Sequence, residues 1–166
     1  RTEHNLSTNL KKKVALFCNV DESAVVQSMD MPTIYEVPLR MQEQKLDVTI
    51  LEKMGLPVGE TPELGPWKDF LNRRHNATEK VKIGLVGKYD LHKSILEALS
   101  HAATYNDRKA DIHFINSEKL TDENVEESLK EMDGIIICPG FGQRGIEGKF
   151  VALKYCRTHN VPTFGI

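Results

Sequence analysis

Ile135-Ile136-Ile137-Cys138-Pro139-Gly140-Phe141-Gly142-Gln143-Arg144-Gly145 is the stretch that decides the fold. Its four apolar residues read as a strand, and Pro139 and Gly140 end it. The glycines let the backbone turn sharply and point N–H groups into a crevice, where they can stabilise a carboxylate, a phosphate or a developing oxyanion. A tight strand-to-helix turn that merely needs two glycines is the plainer alternative. After the turn, Ile146, Phe150 and Leu153 mark one helical face, and Val161-Pro162-Thr163-Phe164-Gly165-Ile166 reads as a further strand.

The same alternation precedes it. Val81 to Val86 is an apolar run ending at Gly87, Ile95, Leu99 and Ala102 repeat at helical spacing, and Asp111 to Ile115 alternates as a strand. Thr121 ahead of Asp122 and Glu123 is a helix start, with Val125, Leu129 and Met132 on one face. The order β-α-β-α-β-α-β predicts an α/β fold with a parallel sheet and right-handed crossovers, whose ligands collect at the carboxyl ends of the strands.

Toward the amino terminus this regularity stops. Pro57, Gly59, Pro62, Gly65 and Pro66 punctuate the backbone, so residues 58–80 read as a linker. Before it, Lys13-Val14-Ala15-Leu16-Phe17-Cys18-Asn19-Val20 suits a strand buried on both faces, and Thr33-Ile34-Tyr35-Glu36-Val37-Pro38 a short extended piece. Asp47 can cap a helix whose Val48, Leu51 and Met54 face inward before Gly55 ends it. One strand and a few short helices cannot bury a core alone, so residues 1–57 are expected to pack against further chain. The opening Arg1 and the abrupt final strand read as cuts at both ends.

Composition narrows the function. The 166 residues are 40% hydrophobic and 28% charged, and 22 Lys+Arg against 24 Asp+Glu leave a formal charge of −2. That balance lacks the basic footprint of a general nucleic-acid binder. No apolar run approaches the roughly 18 residues of a membrane span, which points to a cytosolic, cytoplasmic protein. Cys18, Cys138 and Cys156 are odd in number and read as buried thiols, and the six histidines show no metal-ligand spacing.

Three further places could carry chemistry. In Val86-Gly87-Lys88-Tyr89 the lysine could meet an anion, although the spacing is not that of a Walker loop and a solvated lysine is the alternative. Lys11-Lys12-Lys13 reads as an exposed charge run, or as a run with one lysine facing a nucleotide. Asp30, between Met29 and Met31, could accept from a nucleotide amino group while the methionines pack on a base; a turn residue flanked by core-filling methionines is equally consistent.

Taken together, Lys13 to Val20 followed by Thr33 to Pro38 resembles the end of the synthetase domain of the CTP synthase family. Val86-Gly87-Lys88-Tyr89, Lys93-Ser94-Ile95-Leu96-Glu97-Ala98-Leu99, and Pro139 to Gly142 through Arg144-Gly145-Ile146-Glu147-Gly148-Lys149 resemble the start of its class I glutamine amidotransferase domain. The resemblance implies the tail of a P-loop-like amidoligase domain at 1–57, an interdomain linker at 58–80, and the first half of a flavodoxin-like amidotransferase domain at 81–166. It implies a ligase that phosphorylates UTP with ATP and aminates it to CTP with ammonia from glutamine. By position, Lys13 corresponds to a lysine that holds UTP or CTP, Met29, Asp30 and Met31 to a segment lining the ATP adenine, and Gly140, Phe141 and Gly142 to the glutamine and oxyanion loop. Lys88 corresponds to a lysine coupling the two half-reactions. The family further implies Mg2+ with ATP, activation by GTP, feedback by CTP and a homotetramer.

The family's catalytic cysteine with its histidine and glutamate partners, its upstream phosphate loop and its magnesium carboxylates have no counterpart among these residues, so this chain alone is expected to be inactive. Asp90-Leu91-His92 stand where the family has a longer insert. Two alternatives are an amidotransferase subunit of another synthase and a non-catalytic flavodoxin-like binding module.

Overall fold

The computed structural model describes residues 1–89 and 93–166; the departure from the family pattern at residues 90–92 lies outside them. The chain divides into two compact units, Arg1–Leu71 and Asn72–Ile166.

In the first unit, helix α1 spans Thr8–Cys18, where a buried strand was expected. The stop signals at its two ends explain the difference. The Ser7 hydroxyl accepts from the Leu10 amide, and Asn19 adopts a left-handed conformation, with the Asn19 and Val20 N–H groups returning to the carbonyls of Leu16 and Ala15. A strand over 13–20 would also need a ladder, and the described residues of this unit offer only the single bridge between Thr2 and Met29. A helix satisfies its own backbone groups. Of the apolar run, Ala15 is buried while Leu16 and Phe17 are 79% and 87% exposed. Cys18 is exposed as well, contrary to the expectation of a buried thiol.

The piece expected to be extended at Thr33–Pro38 is instead a 3-10 turn over Ile34–Glu36, capped by the Thr33 hydroxyl, leading into α2 (Val37–Glu43). Pro38 sits in the first turn of α2, where its missing N–H costs nothing. Helix α3 (Leu46–Lys53) carries Asp47 in its first turn, not at the cap, and Gly55 follows its end at φ +66°. Met54 is exposed, contrary to its expected inward position. Within the stretch read as a linker, residues Gly65–Asn76 form α4. Its Phe70 and Leu71 are buried with Tyr35, the Tyr35 and Phe70 rings meeting edge-on at 5.5 Å, and the Trp67 indole donates to the Tyr35 carbonyl at 2.6 Å.

A buried glutamine ties the rest of this unit together. The Gln27 side chain donates to the Thr2 hydroxyl and the His4 carbonyl, both at 2.8 Å, and accepts from the Leu6 amide at 3.1 Å. Its backbone N–H and C=O pair with the Gln44 side-chain amide at 2.8 and 2.7 Å.

The second unit is the expected α/β fold. Strands β1 (Lys80–Gly87), β2 (Lys109–Asn116), β3 (Gly134–Ile137) and β4 (Thr163–Gly165) form one parallel sheet in the order β2-β1-β3-β4, a flavodoxin-like arrangement. Between them lie α5 (Lys93–Tyr105), α6 (Val125–Leu129) and α7 (Ile146–Thr158). Because strand side chains alternate, β1 and β3 serve two cores. Leu85 and Cys138 pack with Ile95 of α5 on one face, while Val86, Ile135 and Ile137 pack with Val125, Leu129, Ala152, Tyr155 and Cys156 on the other.

Helix α7 buries a different face from the one its large residues suggest. Phe150 and Leu153 are exposed, and Gly148, Ala152, Tyr155 and Cys156 face inward. Close approach explains the choice. A Cβ at Gly148 would lie 1.8 Å from the Ser117 carbonyl oxygen and 3.2 Å from that of Leu120, so the helix can reach the segment after β2 only where a residue has no side chain.

Gly148→Ala is therefore expected to destabilise the protein by roughly 2–4 kcal/mol, whereas Gly59→Ala, in open space, is expected to change stability by less than about 0.5 kcal/mol. Urea unfolding of the two variants checks both; equal midpoints would mean that α7 does not press on residues 117–120.

Candidate functional site

The chain leaves β1 for β2 on one side of the sheet and later enters β3 on the other, so the carboxyl ends of β1 and β3 flank a topological switch point. In-register pairing of Gly84 to Val86 with Ile135 to Ile137 brings the two strand ends level. The Gly87-Lys88 corner of β1 and the Pro139–Gly145 loop after β3 therefore come together.

Two lysines hold this loop by its carbonyls. The Lys88 ammonium donates to the Phe141 carbonyl, and the Lys149 ammonium, from the first turns of α7, donates to the Cys138 carbonyl at 2.8 Å. Lys88 also crowds Gly140: a Cβ there would lie 2.9 Å from its Cε. Gly142 and Gly145 take φ values of +79° and +76°, the left-handed region in which a side chain is strained. Phe141 stands fully exposed at the tip.

The surroundings are cationic. Lys88 Nζ and Arg144 Cζ each lie 5.5 Å from the centre of the half-exposed Tyr89 ring, and Arg144 pairs with Glu118 at 2.8 Å. Beneath the loop, Cys138 is buried, and burial pushes its thiol above the ordinary range against a weaker opposing pull from Lys149. A thiol held neutral in a core is no nucleophile. The arrangement is a backbone loop with restricted carbonyls beside positive charge, which suits a carboxylate or a developing oxyanion.

The residues expected at a nucleotide lie in the other unit. Lys13 is exposed on α1, in a helix and not at a strand edge. Met29 and Met31 are half-buried, and Met29 bridges to Thr2. Asp30 is exposed and hydrogen-bonds the Arg1 guanidinium, which holds its carboxyl below the usual carboxylate range. Asn5, Lys11, Gln27, Met29, Arg40 and Gln44 line a concavity of about 180 Å³. Of the three adjacent lysines, then, Lys11 is the one that shares a lining with Met29. No group of three or more His, Cys, Asp or Glu side chains that could hold a metal ion is gathered among the described residues.

Lys149 and Gln27 are functional or structural anchors that sequence reasoning does not identify. Lys149 sits one turn inside α7, and only the fold returns its ammonium to a carbonyl eleven residues earlier. Nothing in the pattern around Gln27 distinguishes it from a surface glutamine.

Two family models match the chain: the CTP synthase N-terminus over residues 1–56 and the class I glutamine amidotransferase over residues 88–166. A CTP synthase of Bacteroides fragilis is 71% identical over 170 aligned positions that cover the whole chain, and one of Porphyromonas gingivalis is 56% identical over 170. The chain spans 32% of each of these relatives. Those 170 positions exceed the chain's 166 residues, so at least four of them have no counterpart in it. Among solved structures, the glutaminase domain of Trypanosoma brucei CTPS with bound acivicin is 36% identical, with a TM-score of 0.47, over 51% of this chain and 35% of that one.

Alkylation of the native 166-residue chain with iodoacetamide at pH 8 is expected to modify Cys18 and to spare Cys138 and Cys156, all three reacting in urea. Peptide mass mapping reads the result; rapid native modification of Cys138 would show that its thiol is neither buried nor held protonated.

Proposed function

We propose, from the premise that this chain belongs to the CTP synthase family, that its Pro139–Gly145 loop is the glutamine-side oxyanion loop of an enzyme that aminates UTP to CTP. The observation that carries this reading is the meeting of the loop with Lys88 at the β1/β3 switch point. Amides fixed there stabilise the negative charge that develops on the carbonyl oxygen of the glutamine side-chain amide as a nucleophile attacks it. Gly140, Phe141 and Gly142 supply the backbone, and Lys88, by holding the Phe141 carbonyl, orients it.

In the complete reaction ATP transfers a phosphoryl group to the uracil 4-oxygen. Ammonia released from glutamine then adds at the adjacent carbon, and phosphate leaves with the C–O bond electrons. Phosphorylation converts a poor leaving group into a good one, and delivery of ammonia from an enclosed site keeps it unprotonated. Lys13 serves the UTP or CTP side of this chemistry, and Met29, Asp30 and Met31 the ATP side. Lys88 couples the two halves in this reading, and its hold on the Phe141 carbonyl is the contact that supports it. The thiol nucleophile and its partners, the phosphate loop and the ligands of Mg2+ come from outside this chain, which alone catalyses neither half. GTP activation, CTP feedback, a homotetramer and a cytoplasmic location belong to the same reading.

The match of residues 1–56 to a CTP synthase amino terminus favours this reading over an amidotransferase subunit of another synthase. The held loop carbonyls favour it over a passive flavodoxin-like module.

In the complete enzyme, Gly140→Pro is expected to lower glutamine-dependent CTP synthesis at least about 100-fold and to leave ammonia-dependent synthesis within about threefold. Proline fixes φ near −65°, far from the +159° of Gly140, and so re-routes the loop. Equal loss of both activities would make the loop merely structural. Lys13→Ala is expected to weaken UTP or CTP binding about tenfold or more and to spare glutamine hydrolysis, as read by nucleotide titration; unchanged nucleotide affinity would remove Lys13 from the site.

A further inference from the structure

Ser117 follows the last residue of β2, and its N–H extends the sheet by donating to the Gly87 carbonyl at 2.9 Å. Its own carbonyl is the surface on which Gly148 of α7 rests. The residue is only 1% exposed, yet its hydroxyl has no hydrogen-bond partner among the described residues. A serine hydroxyl rotates freely to find an acceptor, and a buried one left without any is uncommon enough to need a cause.

Its location supplies one. The ideal Cβ position of Gly145 lies 2.5 Å from Ser117 Oγ and 3.5 Å from Lys88 Cβ. Gly145 is the left-handed residue that ends the glycine loop and begins α7. The unpaired hydroxyl therefore sits under the pivot of the loop, between the corner of β1 and the first turn of α7. An arrangement of the loop that offered it a carbonyl would be favoured over the present one by the energy of that bond, so the hydroxyl biases the loop toward a second state.

We propose that Ser117 is a positioning residue for the glycine loop, its hydroxyl donating to a backbone carbonyl of residues 143–145 in the arrangement the loop adopts on a bound glutamine side chain. This rests on the reading that the loop serves glutamine. Ser117 touches no reacting atom. It acts through Gly145, whose lack of a side chain lets the loop lie directly against the hydroxyl.

The test is Ser117→Ala in the complete enzyme, with Gly140→Pro measured in parallel. Removing a hydroxyl that is unpaired at rest is expected to leave the Tm of the ligand-free enzyme unchanged or raised. The KM for glutamine in glutamine hydrolysis is expected to rise about tenfold with kcat within about threefold, while ammonia-dependent synthesis is retained. A lowered Tm would overturn the proposal, because the hydroxyl would then have a partner in the resting fold. An unchanged KM for glutamine would overturn it as well. If Gly140→Pro separates the glutamine-dependent and ammonia-dependent activities and Ser117→Ala does not, the positioning role alone fails. If Gly140→Pro fails to separate them, the underlying reading of the loop fails first.

Discussion

The pairing of β1 with β3 is the constraint on which the second unit depends. Two strands separated by an entire α-β-α passage lie side by side, and their register fixes which residues stand level at the carboxyl end of the sheet. A slip of one residue would turn Ile135 and Ile137 out of the core they share with Val86 and Leu129. It would also move the glycine loop away from Lys88. Core packing and the geometry of the site are thus set by one ladder, and the site needs no additional element to bring its two halves together.

The loop itself is held from one side. Lys88 and Lys149 take the carbonyls of Phe141 and Cys138, and the left-handed glycines at 142 and 145 let the chain turn from there into α7. Restraining carbonyls is the economical way to orient a peptide, because the N–H of each peptide unit points opposite to its C=O. Preorganisation of this kind matters for catalysis because donors that are already aligned need not reorganise when charge develops.

Much of the second unit was legible in the residues. Four short apolar runs at regular spacing, each followed by a helical period or a glycine turn, permit little except a parallel sheet, and the glycine loop appears where such sheets bind ligands. The differences have separate causes in the two units. Phe150 and Leu153 mark the wrong face of α7 because hydrophobic period counts size, whereas the contact with Ser117 is made by the absence of a side chain at Gly148. In the first unit, Lys13 to Val20 has strand composition, but Ser7 and Asn19 cap a helix around it and no neighbouring strand competes for its backbone. Local caps decide where the tertiary alternative is missing. Lys149, Gln27 and Ser117 were invisible in the sequence because each matters through one contact that only the folded chain creates.

The most direct measurement of the central claim is the structure of the complete enzyme with an unreactive glutamine analogue bound. The analogue's side-chain carbonyl is expected within about 3.1 Å of backbone amides in residues 140–142, with Lys88 still on the loop. An analogue seated elsewhere, with those amides facing solvent, would contradict it.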